Sequence, residues 1–221
     1  MVDTLTDFAA ERDAMVERQI ESRGIREPTI LEAFRSVPRE EFLADEYRDI
    51  AYGDHPIPIE AGQTISQPYI VALMIHAAEI KCGDRVLEVG AGSGYAAAVM
   101  SRIAGEVIAM ERQAELVAVA QERMQRLGYD NVRIVEGDGT RGWPGEAPYE
   151  AILAAASGSH VPPAWVEQLT DGGRIVMPVG DPGWVQKLVK VTKGPAGKLI
   201  TEDLGAVRFV PLIGEEGWSD G

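Results

Sequence analysis

Glycine and acid alternate with small or apolar residues over Glu88-Val-Gly-Ala-Gly-Ser-Gly94, at the end of a short strand-like run whose apolar residues are Val86, Leu87 and Val89. Lacking a Cβ, Gly90, Gly92 and Gly94 permit a tight turn and a close approach of backbone to a ligand. Glu111 closes a second apolar run, Glu106–Met110, where a carboxylate is placed to accept both hydroxyls of a ribose. Asp138 stands between Gly137 and Gly139 after a third run. It is placed to accept from an adenine amino group, though Asp-Gly is also a common turn. A dinucleotide fingerprint needs a third small residue where this chain has Tyr95, so the pattern reads as a nucleoside-like ligand without pyrophosphate spacing. A second constellation lies upstream, where Gln63, Thr64, Ser66 and Gln67 crowd before Pro68. Ser66 stands where a helix N-cap would, and an N-cap hydroxyl with the first helix amides also makes a nest for a carboxylate.

Such groups converge only if the strands that carry them end on one edge. From Arg85 the chain alternates strand and helix. Strands are expected at Arg85–Val89, Val107–Met110, Val132–Val135, Ala151–Ala154 and Arg174–Pro178, and helices at Tyr95–Ala104, Ala114–Leu127 and Pro163–Leu169. That order predicts an α/β fold with a doubly wound, mostly parallel sheet and helices on both faces. The amides of the helix after Gly94 are expected to point at the ligand. Gln186–Lys193 and Val207–Leu212 lack an intervening helix and are read as antiparallel strands completing the sheet, with Pro211 marking an edge. Gly214–Gly221 is expected to fray. Ahead of this core, residues 1–60 read as a helical extension packed on a domain of residues 61–221. A charged helix spans Ala9–Ser22, Gly24 ends it, and Pro28 opens a second helix that stops before Pro38. A further helix runs from about Tyr69 to Ile80.

Composition narrows the class. The 221 residues carry 21 Lys and Arg against 35 Asp and Glu, a net charge of −14, which argues against a nucleic-acid partner. No apolar run reaches membrane-spanning length, and the first fifteen residues lack a signal-peptide core. The single cysteine, Cys82, reads as a small residue at a strand entry in a reducing cytoplasm. A monomer is expected, and no residue is assigned to a metal.

The acid-led glycine loop with a ribose acid looks like the S-adenosylmethionine site of class I methyltransferases. The resemblance becomes specific when further runs are added: Val37-Pro-Arg-Glu40, Ala51-Tyr52, Pro56-Ile-Pro-Ile59, Gly62-Gln-Thr-Ile-Ser-Gln-Pro-Tyr69, Val86–Tyr95, Gly137-Asp-Gly139, Gly172-Gly-Arg174, Pro178-Val-Gly180 and Arg208-Phe-Val-Pro-Leu212. In that order, over nearly the whole chain, they resemble the protein-L-isoaspartate O-methyltransferase family. The resemblance implies methyl transfer from S-adenosyl-L-methionine to the free α-carboxylate of L-isoaspartyl residues in damaged proteins. The ester then closes to a succinimide that can hydrolyse to aspartate. It implies Ser66 as the active-site hydroxyl, with Thr64 and Ile65 on the same loop. It also implies Glu88, Gly90 and Gly92 at the methionine part of the donor, Glu111 at the ribose, and Asp138 with Gly139 at the adenine. Gly94 completes the cofactor loop.

The acceptor chemistry agrees with the residues present. A carboxylate with pKa of about 4 is ionised at neutral pH and needs no general base, so His55, His76 and His160 are read as non-catalytic. Alignment and a water-poor pocket are expected to supply the rate. Distinguishing isoaspartate from aspartate requires following the kinked main chain, and Val210, Pro211 and Leu212 are the expected contacts, offered as an edge strand. Three departures stand out: Glu60-Ala61, Ala91 and Ser157-Gly-Ser-His160. Glu60 adds negative charge near a site for an anionic substrate, which predicts weaker binding or altered peptide preference. Two other readings stay open on residues alone: a methyltransferase for a small molecule or RNA, and a donor-binding protein without transfer activity.

Overall fold

Asp7 caps the first helix, α1 (Phe8–Met15), by accepting the amide of Ala10. The computed structural model describes residues 6–220. Met1–Leu5, the outermost part of the N-terminal extension, and Gly221 at the end of the tail lie outside it. The rod continues from α1 through a wider π turn, Val16–Ile20, and a 3-10 turn, Glu21–Arg23, and ends at Gly24 with φ of 101°. Pro28 opens α2 (Pro28–Ser36), whose Ile30, Leu31 and Phe34 are buried. A short antiparallel ladder of β1 (Ile57–Pro58) and β2 (Thr64–Ile65) then delivers the chain to α3 (Pro68–Ala78). Gln67, not Ser66, occupies the N-cap of α3, and no side chain caps it. Pro68 at the first helical position has no amide to satisfy, which frees Ser66 from capping.

The alternating core follows: β3 (Arg85–Val89), α4 (Tyr95–Ser101), β4 (Glu106–Glu111), α5 (Ala114–Leu127), β5 (Val132–Glu136), β6 (Tyr149–Ala154), α6 (Pro163–Glu167) and β7 (Leu169–Val179). β8 (Gln186–Lys193) and β9 (Leu199–Val207) complete one seven-stranded sheet in the order β5-β4-β3-β6-β7-β8-β9. The first five strands in that order are parallel; β8 and β9 are antiparallel. Side chains of β3 alternate across the sheet. Val86 joins the apolar layer under α1–α5, while Leu87 and Val89 join the layer that contains Trp165 of α6. Residues of the N-terminal helices, such as Phe34 and Phe42, share that first layer with the sheet.

Two expectations are corrected. The last strand is Leu199–Val207, not Val207–Leu212. Most side chains of β9 are exposed, so it carries no apolar alternation to betray it. Residues 208–212 instead cross the end of β6, where Ser157 donates to Val210 and accepts from Leu212, both at 2.8 Å. Of the tail expected to fray, the described residues 214–220 are held in place. Trp218 donates its indole N–H to the Ser157 carbonyl at 2.8 Å, and Glu215 donates its amide to Asp138. No helix among the described residues is long and apolar enough to cross a membrane.

Candidate functional site

The strand order reverses between β3 and β6, and a cleft of about 490 Å³ opens there at the carboxyl edge. Gly90 and Gly92 after β3, Glu111 and Met110 of β4, and Gly137 and Gly139 after β5 form its walls. Its volume lies within the range of about 300–1,000 Å³ usual for small-molecule sites. Glu111 is buried, and its carboxylate holds the rim together. One oxygen accepts the Gly92 amide at 3.0 Å, and the other accepts the amides of Arg112 at 2.8 Å and Gln113 at 3.1 Å. A carboxylate has about four acceptor positions, so one remains for a ligand hydroxyl without dismantling the loop.

The amides of the glycine loop are largely engaged within the chain. Gly90 and Ala91 both donate to the Met110 carbonyl, Gly94 donates to Ala91, and Tyr95 donates to the Ser93 hydroxyl. Amides already taken cannot cradle a phosphate, in keeping with the missing third glycine. Gly94 does not line the cleft. A Cβ there would stand 2.8 Å from Met124 of α5, at a residue with φ of 87°, so it serves close helix packing. A Cβ at Gly139 would collide with Val89 in the cleft floor. Asp138 is committed to the chain: one oxygen accepts from the amide and hydroxyl of Thr140, the other from Glu215. Burial alone would raise its pKa, but those hydrogen bonds outweigh it and hold the carboxyl below its ordinary value. It faces a side cavity beside the cleft and not the cleft itself.

A second cleft, of about 590 Å³, adjoins the first. Thr64, Ala155 and Val210 line both. Ser66, Gln67, Ile70, Arg208 and Phe209 line only the second, and Arg208 is its one charged side chain. The structure thus brings Ser66 and Thr64 together in the second cleft. Ile65 is buried opposite Ile57 in the β1–β2 ladder and lines neither cleft. Of the three residues expected as edge-strand contacts, Val210 sits at the junction, whereas Pro211 and Leu212 line the first cleft.

Glu88 lies on the far side of the glycine loop. Its carboxyl is buried, one oxygen has no partner, and it faces a cavity of about 30 Å³ shared with Ser66, Ala155 and Phe209. Burial, and secondarily the charge of Glu111, pushes its pKa well above the carboxylate range. Glu60 is not an open negative charge. It pairs at 2.8 Å with Arg123 of α5, whose side chain is only 7% exposed. The expectation that Glu60 repels an anionic substrate therefore loses its basis. None of the three histidines lines either cleft. Among the described residues, no three His, Cys, Asp or Glu side chains converge as a metal site requires. Residue patterns missed Trp218, Ser219 and Asp220, which form the outer wall of the first cleft. They also missed Arg208 and Phe209 in the second, although both lie in the run that carried the family resemblance.

The model of the protein-L-isoaspartate(D-aspartate) O-methyltransferase family matches residues 10–217. The chain belongs to that family. It is 54% identical over 217 residues to protein-L-isoaspartate O-methyltransferase 1 of Rhodopseudomonas palustris strain HaA2, covering 98% of this chain and 89% of the relative. A solved protein-L-isoaspartate O-methyltransferase superposes with a TM-score of 0.84 at 32% identity, covering 93% of this chain and 66% of that longer one. A Plasmodium falciparum structure described as a protein-L-isoaspartate O-methyltransferase, solved with S-adenosyl-L-homocysteine, gives a TM-score of 0.79 at 27% identity. It covers 91% of this chain and 98% of its own.

Proposed function

We propose that this chain transfers a methyl group from S-adenosyl-L-methionine to the free α-carboxylate of L-isoaspartyl residues, the first step of repair through a succinimide. The observation that supports it best is the junction at Thr64, Ala155 and Val210, where a nucleoside-sized cleft meets a second cleft containing Ser66. The donor fits the first cleft chemically: Glu111 suits a ribose, and the wall at Gly139 is bare of side chain. Bound there, it supplies an electrophilic methyl group.

The protein's own contribution is placement. An isoaspartyl carboxylate is ionised at neutral pH, so Ser66 needs to orient it and not to deprotonate it. A neutral hydroxyl holds an anion with less loss of nucleophilicity than a tight ion pair. Thr64 and Val210 wall the junction, and the apolar sides of Ile70, Phe209 and Val210 keep water from the reacting oxygen. Arg208 at the rim attracts anionic acceptors without sitting on the reacting group. Gly90, Gly92, Gly139 and Glu111 are proposed to hold the donor, Asp138 to shape its adenine end through Thr140 and the tail, and Glu88 to sit behind the junction. Residues 6–60 act with the sheet as one unit through their shared apolar layer. A cytoplasmic monomer acting on damaged proteins, without a nucleic-acid partner, suits the acidic surface and the single thiol.

Paired peptides differing only in an isoaspartyl or aspartyl residue, incubated with methyl-labelled donor, test the reading. Label on the isoaspartyl peptide alone is expected. Equal labelling of both, or donor binding without transfer, refutes it.

A further inference from the structure

Arg39 is fully buried, yet its partners are two carbonyls and an aromatic face instead of a carboxylate. Its Nε donates to the Ala51 carbonyl at 2.7 Å and its Nη2 donates to the Ser66 carbonyl at 2.8 Å. The guanidinium carbon stands 4.8 Å from the centroid of Tyr95, the first residue of α4 after the glycine loop. The remaining nitrogen, Nη1, has no partner. The carboxylate next in sequence, Glu40, is engaged by the Tyr52 hydroxyl and lies 3.8 Å from Arg12. Burying a guanidinium without a counter-ion is costly. An apolar side chain of similar size would fill the space without that cost, so the charge and its fork of donors have a use beyond filling.

We propose that Arg39 is a positioning residue for the acceptor site, fixing Ser66 from the N-terminal extension. Ser66 lies between the short ladder residue Ile65 and the uncapped start of α3, so neither a side-chain cap nor a long sheet restrains it. The two arms of the guanidinium tie its carbonyl to Ala51, and the ring of Tyr95 fixes the plane of the fork. One side chain thereby sets the Ser66 backbone relative to both the extension and the helix that follows the glycine loop. Lysine has one ammonium in place of a planar fork and cannot hold both carbonyls in the same geometry.

The inference rests on Ser66 as the hydroxyl that orients the acceptor carboxylate, and a double-mutant cycle separates the two claims. Four proteins are compared: wild type, Arg39→Lys, Ser66→Ala and the double variant. Turnover of an isoaspartyl peptide, calorimetric affinity for S-adenosyl-L-homocysteine, and thermal midpoint are measured for each. Arg39→Lys is expected to lower kcat about tenfold while affinity for the homocysteine product stays within twofold. In the Ser66→Ala background the same change is expected to cost less than twofold, because the group being positioned is gone. Additive losses, or product affinity falling in step with kcat, overturn the positioning role while leaving Ser66 in place. Full activity of Ser66→Ala overturns the Ser66 assignment and this inference with it. Where the lysine variant melts below the assay temperature, Arg39→Gln, which keeps side-chain donors without charge, takes its place in the cycle with the same criteria.

Discussion

Ser66 and Glu111 line adjoining clefts, and the duties proposed for them are separable, so substitutions at the two should act on different constants. On the proposed role, removing the Ser66 hydroxyl takes away a hydrogen bond to the isoaspartyl carboxylate, about 1.5–3 kcal/mol. Ser66→Ala should therefore lower kcat/KM for an isoaspartyl peptide roughly ten- to hundredfold, with affinity for S-adenosyl-L-homocysteine nearly unchanged. Glu111→Ala should do the opposite. It removes a ribose acceptor and releases the Gly92 amide, so calorimetry should show product affinity falling at least about tenfold. Unchanged affinity would remove Glu111 from the donor side. Glu60 gives a third residue-scale test. Replacing it with glycine leaves the buried guanidinium of Arg123 unpaired, which should cost about 1–3 kcal/mol of stability, discounted because Glu60 itself is 26% exposed. The thermal midpoint should drop by several degrees, and the acceptor KM should hold. A lower KM with no loss of stability would restore the view that Glu60 repels the substrate.

At the scale of elements, the C-terminal tail is the part whose role changes most between sequence and structure. Residues 213–220 return across the ends of β5 and β6, pinned by the Trp218 indole on Ser157, the Glu215 amide on Asp138, and an ion pair between Asp220 and Arg112. Because Trp218, Ser219 and Asp220 wall the first cleft, a chain ending at Ile213 should bind S-adenosyl-L-homocysteine about tenfold more weakly by calorimetry. Equal affinity would show the tail to be an ornament of the surface. The segment Arg208–Leu212 is a related case. Alternating apolar residues and Pro211 read as an edge strand, but the ladder it joins is a single bridge to Ser157. The real edge, β9, follows a Gly-Pro-Ala-Gly turn at residues 194–197 that marks a hairpin, yet its faces are both largely exposed and leave no hydrophobic period.

For the molecule as a whole, the buried carboxyl of Glu88 links stability to pH. Its pKa in the fold is raised, so the fold favours the protonated form. The associated stability is fully present below the ordinary carboxyl value of 4.5 and is lost as pH rises from there toward the folded value. Glu88→Gln, which mimics the protonated acid, should melt with wild type at pH 4 and increasingly above it toward pH 8 when the donor is absent. A constant gap across that range would refute a neutral Glu88. Much of the core was legible beforehand: β3, β4 and β5, the glycine loop and the acid closing β4 lie where the residue pattern puts them, because parity, turn glycines and strand ends are local properties of the chain. The polar run Gln63–Gln67 likewise reaches the clefts, with Gln63 and Thr64 in the first and Thr64, Ser66 and Gln67 in the second. What stayed illegible is which way each group faces. Ile65 turns inward because it pairs with Ile57, Asp138 turns to the tail, Glu88 turns away from the first cleft, and Arg39 reaches Ser66 from 27 residues upstream. Residue order determined the strand ends and loops from which the proposed site is built. Tertiary packing alone assigned each side chain to a cleft, to the core or to a positioning contact, because those assignments depend on contacts between segments far apart in sequence.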